Sequence, residues 1–380
     1  MRLNTNIRTQ KMPDKSLLSA ILALLIFGWI MSSSASIAHT GSYLNIYKSI
    51  FFIFIGLTAG LIILNTPISI LQKYSIPLFI LSIILLAIVF LPRPIGYEVN
   101  GSRRWINFVL FKFQPSELMK LSMVLFMAGF LIRQEKDIRK PWMGFIKTIA
   151  IIGIADLLLI FEADVGATLI ISLTALAMLY AAGSYIKQLT IVTLVLFLLA
   201  GTYVLFDPNR LYRFASFFIE DKWQKVDGLH QTQQALIGIA RGDWFGTGLG
   251  GGIQKYSLLP EPQTDMIFAT IGEELGVIGM LFVLLSFLYI MLKGFAIAKT
   301  ALQKGRNYSS YVVFGICTWF SMQITVNIGM NLGLLPPKGF TLPLLSYGGT
   351  SMIFSIIALA IVLRVDMENR TKYSKQQNYV

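Results

Sequence analysis

The chain has 380 residues, 55% of them hydrophobic and only 13% charged, with a mean hydropathy of +0.67. That is more apolar surface than one soluble core can hide, so a soluble globular protein is excluded and much of the chain must face lipid. The formal charge of +13 reads as a topology signal and a match to anionic lipid, with nucleic-acid binding the weaker reading.

A helix needs about 20 mostly apolar residues to cross roughly 30 Å of hydrocarbon with its backbone polar groups satisfied. In chain order, spans are predicted at Leu17–Ile37, Ile46–Leu64, Ile76–Leu91, Leu118–Ile132 and Phe145–Phe161. A second set follows at Ala167–Ala182, Leu189–Phe206, Thr270–Leu292, Tyr311–Met330 and Ser351–Leu363. The fold class is therefore an all-α polytopic membrane protein of about ten transmembrane helices. Lys and Arg fall on alternate connections: Arg2, Arg8, Lys11 and Lys15 before the first span, Lys73 after the second, and Arg133, Lys136, Arg139, Lys140 and Lys147 after the fourth. Lys187, then Lys293, Lys299, Lys304 and Arg306, then Arg364, Arg370, Lys372 and Lys375 continue the series. Basic loops stay inside, which places both termini in the cytoplasm. The predicted organisation is a tail over 1–16, a membrane domain over 17–364 with a large extracytoplasmic loop over 207–264, and a tail over 365–380. Ser36, Ile37 and Ala38 loosely resemble a cleavage site, but losing the first span would spoil the charge alternation. The one cysteine, Cys317, is expected to pack as a small apolar residue.

Function is sought where polar residues meet the outer face. The loop after the third span carries Arg93, Arg103, Arg104 and Lys112 against the positive-inside trend and leads through Gln114-Pro115-Ser116-Glu117 to Lys120. Retention for an anionic ligand and snorkelling of Arg103 and Arg104 to lipid phosphate beside Trp105 are equally good readings. Glu162-Ala163-Asp164-Val165-Gly166 reads as a solvated hairpin turn. The 207–264 loop is too long for a simple connector; it holds Arg210, Tyr212, Arg213, Phe214 and Trp223, then a glycine-rich run from Gly242 to Gly252. Gly246, Gly248 and Gly251 fit a dinucleotide fingerprint only in spacing, since no βαβ unit surrounds them. The run ends at Asp265, where loop becomes helix. A carboxylate there reads first as a helix cap, and the same setting would also suit a general base near the headgroup of a lipid-linked substrate. Glu273 and Glu274, if buried, need partners such as Lys120 or an outer-loop arginine. From Leu334 to Ser351, prolines and glycines interrupt apolar sequence, so irregular or re-entrant backbone is expected, buried in protein or lining a cavity.

Five pieces in order, Ser102-Arg103-Arg104-Trp105-Ile106, Gln114-Pro115-Ser116-Glu117-Leu118, Pro262-Gln263-Thr264-Asp265, Gly272-Glu273-Glu274-Leu275-Gly276 and Leu335–Ser351, make the chain resemble the SEDS family of shape, elongation, division and sporulation proteins. Lys338-Gly339 and Thr341-Leu342-Pro343 before Ser346-Tyr347-Gly348-Gly349 resemble its division-specific member rather than the elongation relatives. Glu162 and Ala163 depart from the family's usual Gln-Pro, and Lys48 stands where relatives often carry Arg, keeping charge but losing bidentate geometry.

The resemblance implies a peptidoglycan glycosyltransferase polymerising lipid II at the outer face of the cytoplasmic membrane, at the division septum, with undecaprenyl pyrophosphate leaving. It implies Asp265 as the base, with Arg104 and Lys120 on the pyrophosphate and Lys48, Lys338, Ser346 and Glu274 as further substrate-binding candidates. A divalent cation, Mg or Mn, could assist, although no metal-ligand spacing is visible. The implied partners are an FtsI-like class B penicillin-binding protein and other division proteins, together with membrane lipids. The alternatives are a lipid II flippase, the elongation-type polymerase, or a scaffold without chemistry. Asp156 in the fifth span favours transport unless a structural hydrogen bond holds it.

Overall fold

The structure, a computed structural model, describes residues 12–92, 96–99, 102–108, 111–138, 140, 142–205 and 227–370. Arg2, Arg8, Lys11, Arg93, Arg139, Lys372 and Lys375, and the Arg210, Tyr212, Arg213, Phe214 and Trp223 stretch, lie outside the described residues.

The elements are α1 (Lys15–Thr40), α2 (Leu44–Asn65), α3 (Ile68–Ile88), β1 (Gly96–Val99), β2 (Ser102–Phe108), β3 (Phe111–Phe113), α4 (Pro115–Arg133), α5 (Glu135–Ile138), α6 (Met143–Phe161), α7 (Val165–Ala181) and α8 (Ile186–Leu205). Then come α9 (Asp227–Gly242), α10 (Gln254–Ser257), α11 (Ile267–Gln303), α12 (Asn307–Asn331) and α13 (Gly349–Arg370). Each predicted span coincides with one of these helices, and α1–α4 and α11–α13 are long and apolar enough to cross a membrane.

The helices overrun the predicted spans at charged ends. Lys73 lies on α3, which starts eight residues before Ile76, while Lys293 and Lys299 lie on α11 and Arg364 on α13, which runs past 364 to Arg370. An apolar-length rule stops at the first charge, whereas a helix continues where its flanking side chains reach water, as Lys73 does, or find protein partners, as the buried Arg364 does on Glu368 and Leu64 O. Two expected loops are also structured. The outer loop after α3 folds as an antiparallel meander in the order β1-β2-β3, with Tyr97 opposite Trp105 and Ile106 opposite Phe113. The Asn100-Gly101 dipeptide between the paired Val99 and Ser102 is the sequence signal for such a hairpin. Within the 207–264 loop, α9 is a regular amphipathic helix packed on α11.

The core centres on α4, buried continuously from Pro115 to Leu131 and flanked by α3, α7 and α12. It has no lipid or water face, so its polar residues Ser116, Glu117, Lys120 and Ser122 are buried along with its apolar ones. The α2–α13 contact uses Gly56 and Gly60: a Cβ on Gly56 would lie 2.7 Å from Ile356 Cδ1, so small residues let these helices approach closely. α1 is part of this bundle, with Leu17, Leu24 and Met31 fully buried and Asp14, its N-cap, held 2.6 Å from Arg370 Nη2 of α13. Cys317 is buried and packs on Gly294, as expected of a small apolar residue.

A break in α11 orders the end of the bundle that carries Asp265. Gly276 has φ 65° and ψ −162°, which interrupts the helix and leaves carbonyls before it and amides after it without intrahelical partners. The glycine-rich turn supplies both. Thr247 N and Gly248 N donate to Glu273 O and Glu274 O, each at 3.0 Å, and Asp243 O and Trp244 O accept from Val277 N at 2.9 Å and Ile278 N at 3.3 Å. The approach is so close that a Cβ on Gly246 would lie 2.1 Å from Glu274 O. The glycines therefore splice a broken helix rather than cradle a phosphate.

Candidate active site

Asp265 lies in the turn that precedes α11, yet it does not cap that helix. The N-cap position is Met266, with no side-chain cap bond, and the amide of Ala269 instead donates to Asn331 Oδ1 from α12 at 3.0 Å. Asn331 and Asn327 both donate through Nδ2 to the backbone carbonyl of Asp265 at 3.0 Å. Asn327 also donates to Phe340 O. One helical turn earlier, Gln323 donates to Thr341 O at 2.8 Å while its Oε1 accepts from Lys120 Nζ at 3.2 Å and Trp319 Nε1 at 2.8 Å. Gln323, Asn327 and Asn331 thus form a ladder at four-residue spacing on one face of α12. The sequence reading missed it, although that spacing in an apolar helix is legible.

The ladder and Ser346 join two irregular segments. Ser346 Oγ donates to Thr264 O at 2.6 Å and accepts from Leu342 N at 2.7 Å, and Tyr347 N donates to Gln263 O at 2.7 Å. Leu342, Leu344 and Leu345 are buried, so the irregular backbone is enclosed in protein from Phe340 to Ser346, whereas Leu334, Leu335, Lys338 and Gly339 are exposed. Ser346 spends both hydrogen-bonding roles on backbone, which makes it a support of the Asp265 turn. Gly339, at φ 61°, brings its chain against the carboxylate: a Cβ there would lie 3.3 Å from Asp265 Oδ2. Lys338, exposed, adjoins that contact.

Asp265 retains a partly accessible surface but is closely surrounded by protein. That desolvation, reinforced by Glu261 and opposed by Arg104, lifts its carboxyl to about 7. Arg104 belongs to β2 and turns inward, while Arg103 is exposed. Its Nη2 donates to Ala163 O at 2.5 Å and its Nε to Glu162 O at 3.4 Å, so it holds the carbonyl end of α6 instead of snorkelling outward. The 162–166 turn is likewise not a solvated hairpin. Glu162 is 1% exposed and Asp164 9%, with Asp164 capping α7 through Ala167 N and accepting from Ser116 Oγ at 3.3 Å. Gly166 packs on the Phe340 ring, which joins this turn to the Asp265 side.

Other candidates fall elsewhere. Lys120 is buried and paired with Glu117 at 2.8 Å, under the Gln323 end of the ladder, so its charge is largely offset. Glu274, expected to bind substrate, is fully buried and committed: Lys255 and Ser34 bond its side chain, and Gly250 N donates to it at 3.0 Å. Glu273 pairs with Arg241 at 2.8 Å. Lys120 was the wrong partner for this pair; Arg241 is the outer-loop arginine, and Lys255 was not foreseen because α10 was read as loop. Lys48 is exposed on α2, and no contact among the described residues joins it to the Asp265 turn. Asp156 accepts from Ser172 Oγ at 2.5 Å, the structural hydrogen bond set against transport. For the divalent cation, no group of three His, Cys, Asp or Glu side chains comes together among the described residues.

A helical polytopic membrane protein with a carboxylate of raised pKa and a guanidinium on one face is the class these features define. A family model described as "Cell cycle protein", FTSW_RODA_SPOVE, matches residues 15–371. The chain belongs to this family. A relative named "Probable peptidoglycan glycosyltransferase FtsW" from Legionella pneumophila is 40% identical over 363 residues, 94% of this chain and 91% of that one. Its namesake from Francisella salina is 36% identical over 94% of this chain and 90% of its own. Among solved structures, a chain from "Structural coordination of polymerization and crosslinking by a peptidoglycan synthase complex" superposes with a TM-score of 0.79 at 24% identity, covering 94% of this chain and 98% of that one. The rod shape determining protein RodA of Thermus thermophilus gives 0.69 at 23% identity over 95% and 98%. Both likenesses are of fold.

Proposed function

We propose that this chain is a peptidoglycan glycosyltransferase that polymerises lipid II at the outer membrane face during cell division. The relatives' shared name supports the activity, and the site supplies the chemistry. Asp265, ionised, accepts the proton of the acceptor sugar's 4-hydroxyl as that oxygen bonds to the donor's anomeric carbon. The anomeric C–O bond to pyrophosphate breaks, undecaprenyl pyrophosphate leaves with the electron pair, and the configuration inverts. Arg104 offsets the charge growing on the departing pyrophosphate, whereas Lys120, neutralised by Glu117, adds little. A class B penicillin-binding protein would crosslink the strands at the septum.

One observation carries this reading: Asn331 takes over the α11 cap, so Asp265 is positioned by its backbone while its carboxylate makes no hydrogen bond among the described residues. The test is Asp265→Asn in purified protein with its penicillin-binding partner and labelled lipid II. Asn keeps the size and removes the base, so polymer formation should fall by about 10² to 10⁴ with lipid II binding intact. Full polymerisation by this variant would overturn the assignment. Transport that survives in it without polymer would favour the flippase.

A further inference from the structure

Among the described residues, Glu162 is the one carboxylate with both oxygens fully buried and unpartnered, whereas Asp265 keeps an accessible surface. Glu162 is 1% exposed, and both Oε atoms are buried without a hydrogen-bond partner among the described residues. An ionised carboxylate so placed is strongly disfavoured, whereas the protonated acid costs far less. The charged groups acting on it are Asp164 in its own turn and Arg104 from β2; α4 contributes Ser116, already committed to Asp164. Arg104 bypasses the Glu162 carboxyl and bonds the carbonyls of Glu162 and Ala163. A neighbouring carboxylate would ordinarily take a guanidinium in a bidentate pair, so the bonding pattern is that of an uncharged acid.

We infer that Glu162 is a positioning residue held as the neutral acid, which keeps the Arg104 guanidinium on the α6 carbonyls with its charge directed to the substrate pyrophosphate. The inference rests on the reading of Arg104 given above. Burial, reinforced by Asp164 and opposed by Arg104, lifts the Glu162 carboxyl to about 9, in the direction the bonding requires. Above that pH the proton passes to solvent base, the new carboxylate competes for Arg104, and the pyrophosphate loses its cation. The site then carries its own alkaline limit.

The test is polymerisation of labelled lipid II by the protein with its penicillin-binding partner, from pH 7 to 10, beside direct lipid II binding. Wild type should lose about tenfold in rate per pH unit beyond the alkaline limb, and weaken in binding over the same range. Glu162→Gln, permanently neutral, should carry its plateau at least about one pH unit higher. Glu162→Asp keeps a titrating group and should keep the limb, and protein abundance and melting temperature establish that each variant is folded. An unchanged limb in Glu162→Gln, or a vanished one in Glu162→Asp, overturns the inference. Arg104→Ala separates it from its premise: normal polymerisation there removes the pyrophosphate reading itself. A dead Arg104→Ala beside an unchanged Glu162→Gln profile removes only the role of Glu162.

Discussion

Asp265 and the Glu273–Glu274 pair sit on either side of the first turns of α11, and their carboxylates are treated in opposite ways. Glu273 accepts from Arg241, Ile253 N and Gln254 N, and Glu274 from Lys255, Ser34 and Gly250 N, so each is saturated and fixed. Asp265 has its backbone fixed by two asparagines and its carboxylate left to titrate near neutrality. Residue type is thus a poor guide to role here. A carboxylate whose partners are all supplied by the protein has no capacity left for a substrate, and one relieved of structural bonds does.

The contrast is broken most sharply by loss of activity without loss of fold on one side and loss of fold on the other. Asp265→Asn, with its expected fall of about 10² to 10⁴ in rate, should leave abundance and melting temperature near wild type. Glu274→Ala should behave in reverse, because it strands Lys255 in the interior at a cost of about 3–5 kcal/mol. A thermal shift in detergent would read this as a collapse in folded yield, and wild-type stability would refute the saturated-hub account. Gly246→Ala tests the splice that the pair supports: an L side chain at φ 78° facing Glu274 O should cost at least about 2 kcal/mol. Normal melting of that variant would mean the glycine turn does not hold the break in α11.

Smaller effects sharpen the Asp265 side. As a base with its carboxyl near 7, Asp265 must be ionised to work. The polymerisation rate should therefore fall about tenfold per pH unit below that value and level off above it. An acid limb near pH 4 would show that burial does not govern this group. Ser346→Ala removes two bonds to backbone, leaving Leu342 N and Thr264 O to find others, and should cost about 1–3 kcal/mol of stability. A Ser346→Ala variant as stable as wild type, but weaker in lipid II binding, would return Ser346 to direct substrate contact.

Much of this molecule could be read without a structure. Apolar runs at spanning length located the helices, because lipid forces each segment to satisfy its own backbone and the signal is local. Proline and glycine between Leu334 and Ser351 announced irregular backbone, and Asp265 was legible as a carboxylate at a loop-to-helix junction. The β1–β2 pairing signalled by the Asn100-Gly101 dipeptide and the Gln323, Asn327 and Asn331 ladder were also written in the sequence and passed over. What tertiary structure alone decided was the state of each polar group. The capping of α11 by Asn331 from α12, the burial of Glu162, the turn of Arg104 onto α6 and the pairing of Glu274 with Lys255 all join residues distant in sequence. Burial and hydrogen-bond satisfaction are properties of the packed whole, and they determine whether a carboxylate anchors the fold or remains available for chemistry.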